Sequence, residues 1–153
     1  MIGFTHTIRS RIDDSRCLVD AVDKGSCGVS LADAPQSHVV IDLDETGSPL
    51  GPAQAKCDFL FFADPNVVVP IEVKDGAPDV ARATGQLQAG ADAADVLAPR
   101  DRDVNFRPVL VSRSLRRRKQ MDLRAARVRF RKRDERVSHV VCGQALADAL
   151  DAG

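Results

Sequence analysis

The chain has 153 residues, of which 44% are hydrophobic and 29% charged, and its formal net charge is zero. This composition is typical of a single globular domain, here residues 1–153. Only six residues are aromatic, all of them Phe, which excludes a surface that binds single strands by stacking bases on many aromatic rings.

Apolar residues near helical spacing predict a first helix over residues 9–24, which Gly25 can end. A loop or weak strand is expected over 25–36. A strand is predicted at 38–43, followed by a turn-rich connection. Two further strands, 56–62 and 67–74, flank a short turn and should form an antiparallel hairpin. Pro70 has no N–H to donate, so it should face an unpaired side or a bulge.

A long Ala-rich helix is predicted over residues 78–97, with Pro78 near its first turn. Its buried stripe should consist of Val80, Thr84, Leu87, Ala91 and Ala94. The remaining predicted elements are a strand at 105–112, a helix at 116–126, strands at 127–131 and 136–142, and a terminal helix at 144–152. This order predicts a mixed α/β (α+β) domain.

The positive charge is concentrated in one part of the sequence. Residues 113–136 contain twelve Lys or Arg and three acids. Such asymmetry favours a polyanionic partner, although a solvated basic helix and loop would look the same. The residues expected to contact nucleic acid are Arg113, Arg116, Arg117, Arg118, Lys119, Arg131, Lys132 and Arg133.

The four cysteines have no C-x-x-C spacing, and with the three histidines they form no recognised zinc pattern. Two disulfides are conceivable, but a chain of this length does not need them, and its first residues do not resemble a secretion signal. We therefore expect free, mostly buried thiols and a cytoplasmic location. No apolar run approaches the roughly 20 residues that span a bilayer.

The most informative segment joins Asp58 to Glu72-Val73-Lys74. Glu72 and Lys74 are two residues apart, so their side chains leave the same face of a strand. A three-residue hairpin loop places Asp58 opposite Glu72, whereas a four-residue loop turns it to the other face unless a bulge intervenes.

Neighbouring carboxylates raise each other's pKa and destabilise a sheet, and a divalent cation removes that penalty. Mg²⁺ prefers such oxygen ligands, and the main-chain carbonyl of Val73 is a candidate third ligand. Lys74 would orient or deprotonate an attacking water, or neutralise a phosphorane-like transition state. The bland alternative is a surface salt-bridge cluster on a half-buried hairpin.

These residues resemble the motif of the PD-(D/E)xK nuclease superfamily, which includes type II restriction enzymes and archaeal Holliday-junction resolvases. The match is Asp58 in KCDFLFF and Glu72 and Lys74 in PIEVK, although Cys57 stands where the motif has Pro. The resemblance implies a restriction-endonuclease-like fold, with a central mixed β-sheet flanked by helices. It also implies phosphodiester hydrolysis with Mg²⁺ or Mn²⁺.

Many members of the superfamily carry a further acid on the first helix, and several carry a Gln on the helix after the ExK strand. Asp13, Asp14, Asp20 and Asp23 compete for the first role. Asp20 is preferred because it lies in the middle of the predicted helix. Gln86 and Gln88 compete for the second role, and Gln86 is preferred because it precedes Leu87 on the buried stripe.

The leading hypothesis is a Mg²⁺-dependent endonuclease that acts on duplex or branched DNA, with a homodimer needed to cut both strands. One alternative is a catalytically inactive module of the same fold that binds nucleic acid or a protein partner. Another is a small assembly protein whose basic region binds an acidic chain and whose carboxylates have no metal affinity.

Overall fold

The computed structural model describes residues 3–51 and 54–151. Its helices are α1 (Phe4–Ser10), α2 (Val80–Leu97), α3 (Arg117–Ala125) and α4 (Ala147–Asp151), with a short 3-10 helix at Ser15–Cys17. Its strands are β1 (Leu18–Val19), β2 (Val22–Lys24), β3 (Cys27–Val29), β4 (His38–Asp42), β5 (Phe59–Ala63), β6 (Val67–Lys74), β7 (Asn105–Phe106), β8 (Val109–Ser112), β9 (Arg127–Phe130), β10 (Arg133–Arg136) and β11 (Ser138–Val141).

The central sheet has the strand order β1-β4-β5-β6-β8-β11, with β7 also paired to β6. Strands β1, β4, β5 and β6 pair antiparallel, whereas β6, β8 and β11 are parallel. Side chains of α1, α2 and α3 form the core on one face, and the β2–β3 hairpin and α4 pack on the other. The predicted mixed sheet flanked by helices is therefore confirmed.

The β5–β6 hairpin has the register on which the sequence argument depends. Ala63 pairs with Val67, so the loop has three residues, and Phe59 pairs with Ile71. Neither the β7 ladder nor the β8 ladder on the other side of β6 includes Pro70, as its missing N–H requires. The β5–β6 ladder ends at the pair of Phe59 and Ile71, and beyond it the Asp58 N–H donates to the Ile71 carbonyl at 3.1 Å, which keeps Asp58 next to the end of β6 that carries Glu72.

Small residues let α2 lie close to β6. The helix begins after Asp79, whose carboxylate accepts a hydrogen bond from the Arg82 N–H as an N-cap. Four of the five predicted stripe residues are buried, and Thr84 is half-buried. A Cβ at Gly90 would overlap the Cys57 sulfur, so only glycine permits this approach.

The predicted helix over residues 9–24 is wrong. The helix there ends at Ser10, and the chain continues through the 3-10 turn into β1 and β2. The Asp14 carboxylate accepts the Arg16 N–H, a local bond that competes with helix formation. The helical pattern that forms is Phe4 and Ile8, one turn apart and both fully buried.

The C-terminal half departs from prediction in two places. The predicted strand at 105–112 is divided into β7 and β8 by Arg107 and Pro108, because proline cannot donate to a ladder. Strand β10 was not predicted, since its sequence RDER has no apolar alternation. It forms because it pairs with β9 across a two-residue turn at Arg131 and Lys132.

The expectation of four free thiols is wrong for two of them. A disulfide joins Cys27 of β3 to Cys142 just after β11, 115 residues away in sequence, whereas Cys17 and Cys57 are free and buried. Disulfides are typical of oxidising compartments, so the cytoplasmic location stays a prediction that this bond does not favour. Among the described helices, none combines the length and apolarity that a bilayer span requires.

The β9–β10 turn yields a stability prediction. Lys132 has a φ of 72°, in the left-handed region that costs a side chain roughly 1 kcal/mol and that glycine adopts freely. We expect Lys132→Gly to raise the free energy of unfolding by about 1 kcal/mol in urea denaturation. A loss of stability would mean that the lysine side chain contributes more than its backbone conformation costs.

Candidate active site

Glu72 and Lys74 project from the C-terminal end of β6 toward the α2 face. Two-residue alternation places them on the same face as Val68, which belongs to the α2-side core. Glu72 is 1% exposed, and its Oε2 lies 2.7 Å from the Lys74 Nζ. Lys74 is more accessible, so this pair connects a buried carboxylate to solvent.

Asp58 lies immediately before β5, where its carboxylate completes the ladder of β6. Its Oδ2 accepts a 2.8 Å hydrogen bond from the Val73 N–H. The N–H and C=O of a strand residue face the same neighbour, so the Val73 carbonyl also points toward Asp58. The structure thus places Asp58 beside Val73 and Glu72 beside Lys74, and Asp58 is near enough to Glu72 for its charge to raise the Glu72 pKa.

The electrostatics of Glu72 are unfavourable. Burial raises its pKa to about 7, the nearby charge of Asp58 adds to the rise, and the Lys74 ammonium opposes it. Within the described part of the chain, the Glu72 Oε1 has no hydrogen-bond partner although it is buried. A buried carboxylate oxygen without a donor is destabilising unless a cation or a proton satisfies it.

Lys24 is a site residue that sequence reasoning missed. It ends β2, and its Nζ lies 2.6 Å from the Asp58 Oδ1 and 3.4 Å from the Asp44 Oδ2. The Asp58 carboxylate raises the pKa of Lys24, so the ammonium stays charged. The alternation of Val22 with Lys24 around the Gly25-Ser26 turn was the available signal for a hairpin.

Lys24 and a divalent cation would compete for the same Asp58 oxygen. We therefore expect Lys24→Met to strengthen Mn²⁺ binding about tenfold in calorimetric titration, because a charge-assisted hydrogen bond no longer has to be broken. Lys56→Met is the matched control, since the Lys56 Nζ lies 3.6 Å from Asp44 and makes no ion pair with Asp58. Weaker Mn²⁺ binding by Lys24→Met would contradict this competition.

The two glutamine candidates have different surroundings. Gln88 bridges to β9, donating to the Arg129 carbonyl at 2.9 Å and accepting its N–H at 2.8 Å. The Gln86 Oε1 is buried, and no partner for it occurs among the described residues. Gly90 lies over Pro70. One turn of α2, from Gly90 back to Gln86, covers about the same length as the two residues of β6 from Pro70 to Glu72. Gln86 therefore lies at the level of Glu72.

The preferred extra acid, Asp20, does not occupy the position expected of it. It is exposed at the bend between β1 and β2, because the helix on which it was placed does not form. The acid near the centre that the sequence analysis overlooked is Asp42, which ends β4 opposite Phe59. Burial is the main cause that raises the pKa of Asp42, and the charge of Asp58 adds to it.

The basic region is divided between two ends of the molecule. Ser112 pairs with Lys74, so the chain that follows it, including exposed Arg113 and the start of α3, lies at the same end as Glu72. Arg113 binds Asp75 at 2.9 Å. The exposed basic residues at the beginning of α3 are Arg116, Arg117 and Arg118, followed by half-buried Lys119.

Arg131 lies at the other end of α2. Its guanidinium binds the Asp95 carboxylate at 2.6 Å and the Ala98 and Pro99 carbonyls at 2.9 Å. These bonds satisfy carbonyls at and beyond the helix end, so Arg131 supports the fold. Lys132 and Arg133 adjoin it at the hairpin tip, away from Glu72.

Across residues 3–51 and 54–151, no three His, Cys, Asp or Glu side chains cluster as a metal site. The candidate ligands are two carboxylates and a main-chain carbonyl. No family model, curated protein or solved structure matches this chain. Its chemistry must therefore be judged from the geometry of these residues.

Proposed function

We propose that this protein is a metal-dependent endonuclease of the restriction-endonuclease-like fold, which hydrolyses DNA phosphodiester bonds. The observation that carries the proposal is the pair of buried carboxylates, Asp58 and Glu72, beside the Lys74 ammonium. Burial and, after it, the charge of Asp58 raise the pKa of Glu72, and the Glu72 Oε1 has no partner in the described chain. Two neighbouring buried carboxylates lower the stability of a metal-free fold, whereas a metal centre requires them as ligands.

The donor set fits Mg²⁺ or Mn²⁺. Asp58, Glu72 and the Val73 carbonyl would hold the ion, and the partnerless Oε1 supplies a hard oxygen ligand of the kind that Mg²⁺ prefers. When bound, the ion supplies Lewis acidity and a more acidic water. Lys74 is placed to orient the attacking water or to neutralise charge on the phosphate. Gln86 offers a carbonyl oxygen that can position the same water.

We place DNA on the end of the molecule where β6 and β8 finish. Arg113 and the exposed Arg116, Arg117 and Arg118 adjoin that end. Guanidinium groups bind phosphate oxygens in bidentate geometry, so these residues would hold a backbone next to Lys74. A duplex or a branched substrate suits this surface, and a homodimer would supply the second centre for cutting both strands.

One observation favours the inactive-module alternative. Each carboxylate already has an ammonium partner, Lys24 for Asp58 and Lys74 for Glu72, so two local charges are balanced without a metal. A module of this kind would bind nucleic acid or a protein partner through the basic end and would not hydrolyse it.

Plasmid cleavage distinguishes the two functions. We expect the wild-type protein to cut supercoiled plasmid with Mg²⁺ or Mn²⁺. The control Asp101→Asn, which changes an exposed aspartate outside the site, should cut at the same rate. Asp58→Asn should cut at least a hundredfold more slowly. DNA affinity should fall steeply with salt for all three proteins, because phosphate contacts release counterions. Wild-type protein that binds plasmid but leaves it uncut would refute the nuclease and support the module.

A further inference from the structure

A cavity outside the carboxylate centre lies between α3 and the strands β10 and β11. Its volume is about 270 Å³, and Leu115, Leu123 and Val137 give it an apolar floor. Gln120, Arg124, Arg136 and His139 complete the lining, and none of the lining residues is acidic. The cavity therefore combines an apolar surface with positive charge.

The polar side chains that line this cavity are either fixed by a hydrogen bond or free to bind a ligand. The His139 Nε2 lies 2.7 Å from the hydroxyl of fully buried Ser112, which fixes the imidazole ring. Gln120 donates its amide to the Leu115 carbonyl at 2.7 Å, which leaves its Oε1 to accept a hydrogen bond. Neither the Arg124 nor the Arg136 guanidinium has a partner among the residues that the structure describes.

The position of the cavity relates it to the carboxylate centre. Glu72 pairs with Leu110 across the β6–β8 ladder, and Leu110 pairs with His139 across the β8–β11 ladder. Two strand spacings amount to about 10 Å. About three nucleotides of a stacked strand, at a rise of about 3.4 Å each, cover the same distance. A nucleic acid strand at Glu72 can therefore reach the cavity.

We infer that this cavity is a subsite for one unstacked nucleotide of the substrate strand, which rests on the proposed nuclease function. The nucleobase would lie on Leu115, Leu123 and Val137, with its polar edge toward Gln120 and His139. The phosphate would be held by Arg124 and Arg136, whose planar donor groups match phosphate oxygens. Recognition of unstacked nucleotides in this way suits a frayed, flapped or branched end rather than the interior of a duplex.

The test uses the four deoxynucleoside 5′-monophosphates, inorganic phosphate and the free nucleosides, each titrated calorimetrically into the full chain in EDTA. We expect at least one monophosphate to bind tenfold or more tightly than phosphate or its own nucleoside. Arg136→Ala and the charge-conserving Arg136→Lys should each weaken that binding, the first about tenfold, whereas the hairpin-tip control Arg133→Ala should not change it.

The outcome is independent of hydrolysis, because EDTA removes the metal and no carboxylate of the centre is altered. Monophosphate binding with the expected loss in the Arg136 variants supports the subsite even if plasmid is never cut. Absence of binding, binding no tighter than that of phosphate, or an equal loss in Arg133→Ala would overturn the subsite and leave the nuclease proposal standing.

Discussion

Glu72→Gln is expected to stabilise the metal-free protein at pH 8 by about 3 kcal/mol. The pKa of Glu72 is raised from 4.5 to about 7, chiefly by burial, so the folded state favours its neutral form. This contribution to stability is fully present below pH 4.5 and is lost as the pH rises through 7. At about 1.4 kcal/mol per pH unit, the loss accounts for the expected difference, and glutamine does not incur it.

Urea denaturation in EDTA at pH 4.5, 6 and 8 measures this effect. The variant should gain on the wild type between pH 4.5 and 7 and keep a constant advantage above that. Mn²⁺ should reverse the order at pH 8, because an ion present at about a thousand times its dissociation constant stabilises the wild type by about 4.1 kcal/mol. A Glu72→Gln variant that is destabilised at every pH would show that the carboxylate is an ordinary structural ion pair.

Lys74→Met is expected to slow plasmid cleavage by two to three orders of magnitude while Mn²⁺ still binds. The Lys74 ammonium lies 2.7 Å from the Glu72 Oε2, and it donates to a carboxylate oxygen but is not itself a metal ligand. Removing a positive charge aimed at a transition state costs about 10² to 10³ in rate. Metal affinity at pH 8 should be equal to or higher than that of the wild type.

Single-turnover cleavage and Mn²⁺ calorimetry on the same preparation separate the two effects. Lys132→Met is the matched control, since Lys132 is an exposed lysine at the hairpin tip. It should leave both cleavage and metal binding unchanged. Unaltered cleavage by Lys74→Met would remove the lysine from the chemistry and leave only the two carboxylates as a metal site.

The central hairpin was predictable because its information is local. The Asp64-Pro65-Asn66 loop and the alternation of β6 determine the register, whose last pair, Phe59 with Ile71, directly adjoins Asp58 and Glu72. The capped, Ala-rich α2 was likewise predictable from its own residues, and so was the position of Gln86 beside the buried stripe.

The remaining site residues depend on contacts between distant segments. Lys24 reaches Asp58 across 34 residues, and Cys27, its partner in the hairpin, is joined to Cys142. Asp42 comes near Asp58 only because β4 pairs with β5. The basic run at 113–136 was visible in sequence, but α3 and the β9–β10 hairpin carry it to opposite ends of α2, which charge counting cannot foresee.

Diffraction from a crystal soaked in Mn²⁺ at pH 8 tests the central claim most directly. We predict one anomalous peak about 2.2 Å from carboxylate oxygens of both Asp58 and Glu72, with the Lys24 ammonium displaced from Asp58. Lys24 still bound to Asp58 at saturating Mn²⁺, with no ion between the two carboxylates, would contradict the assignment of this centre to metal-dependent hydrolysis.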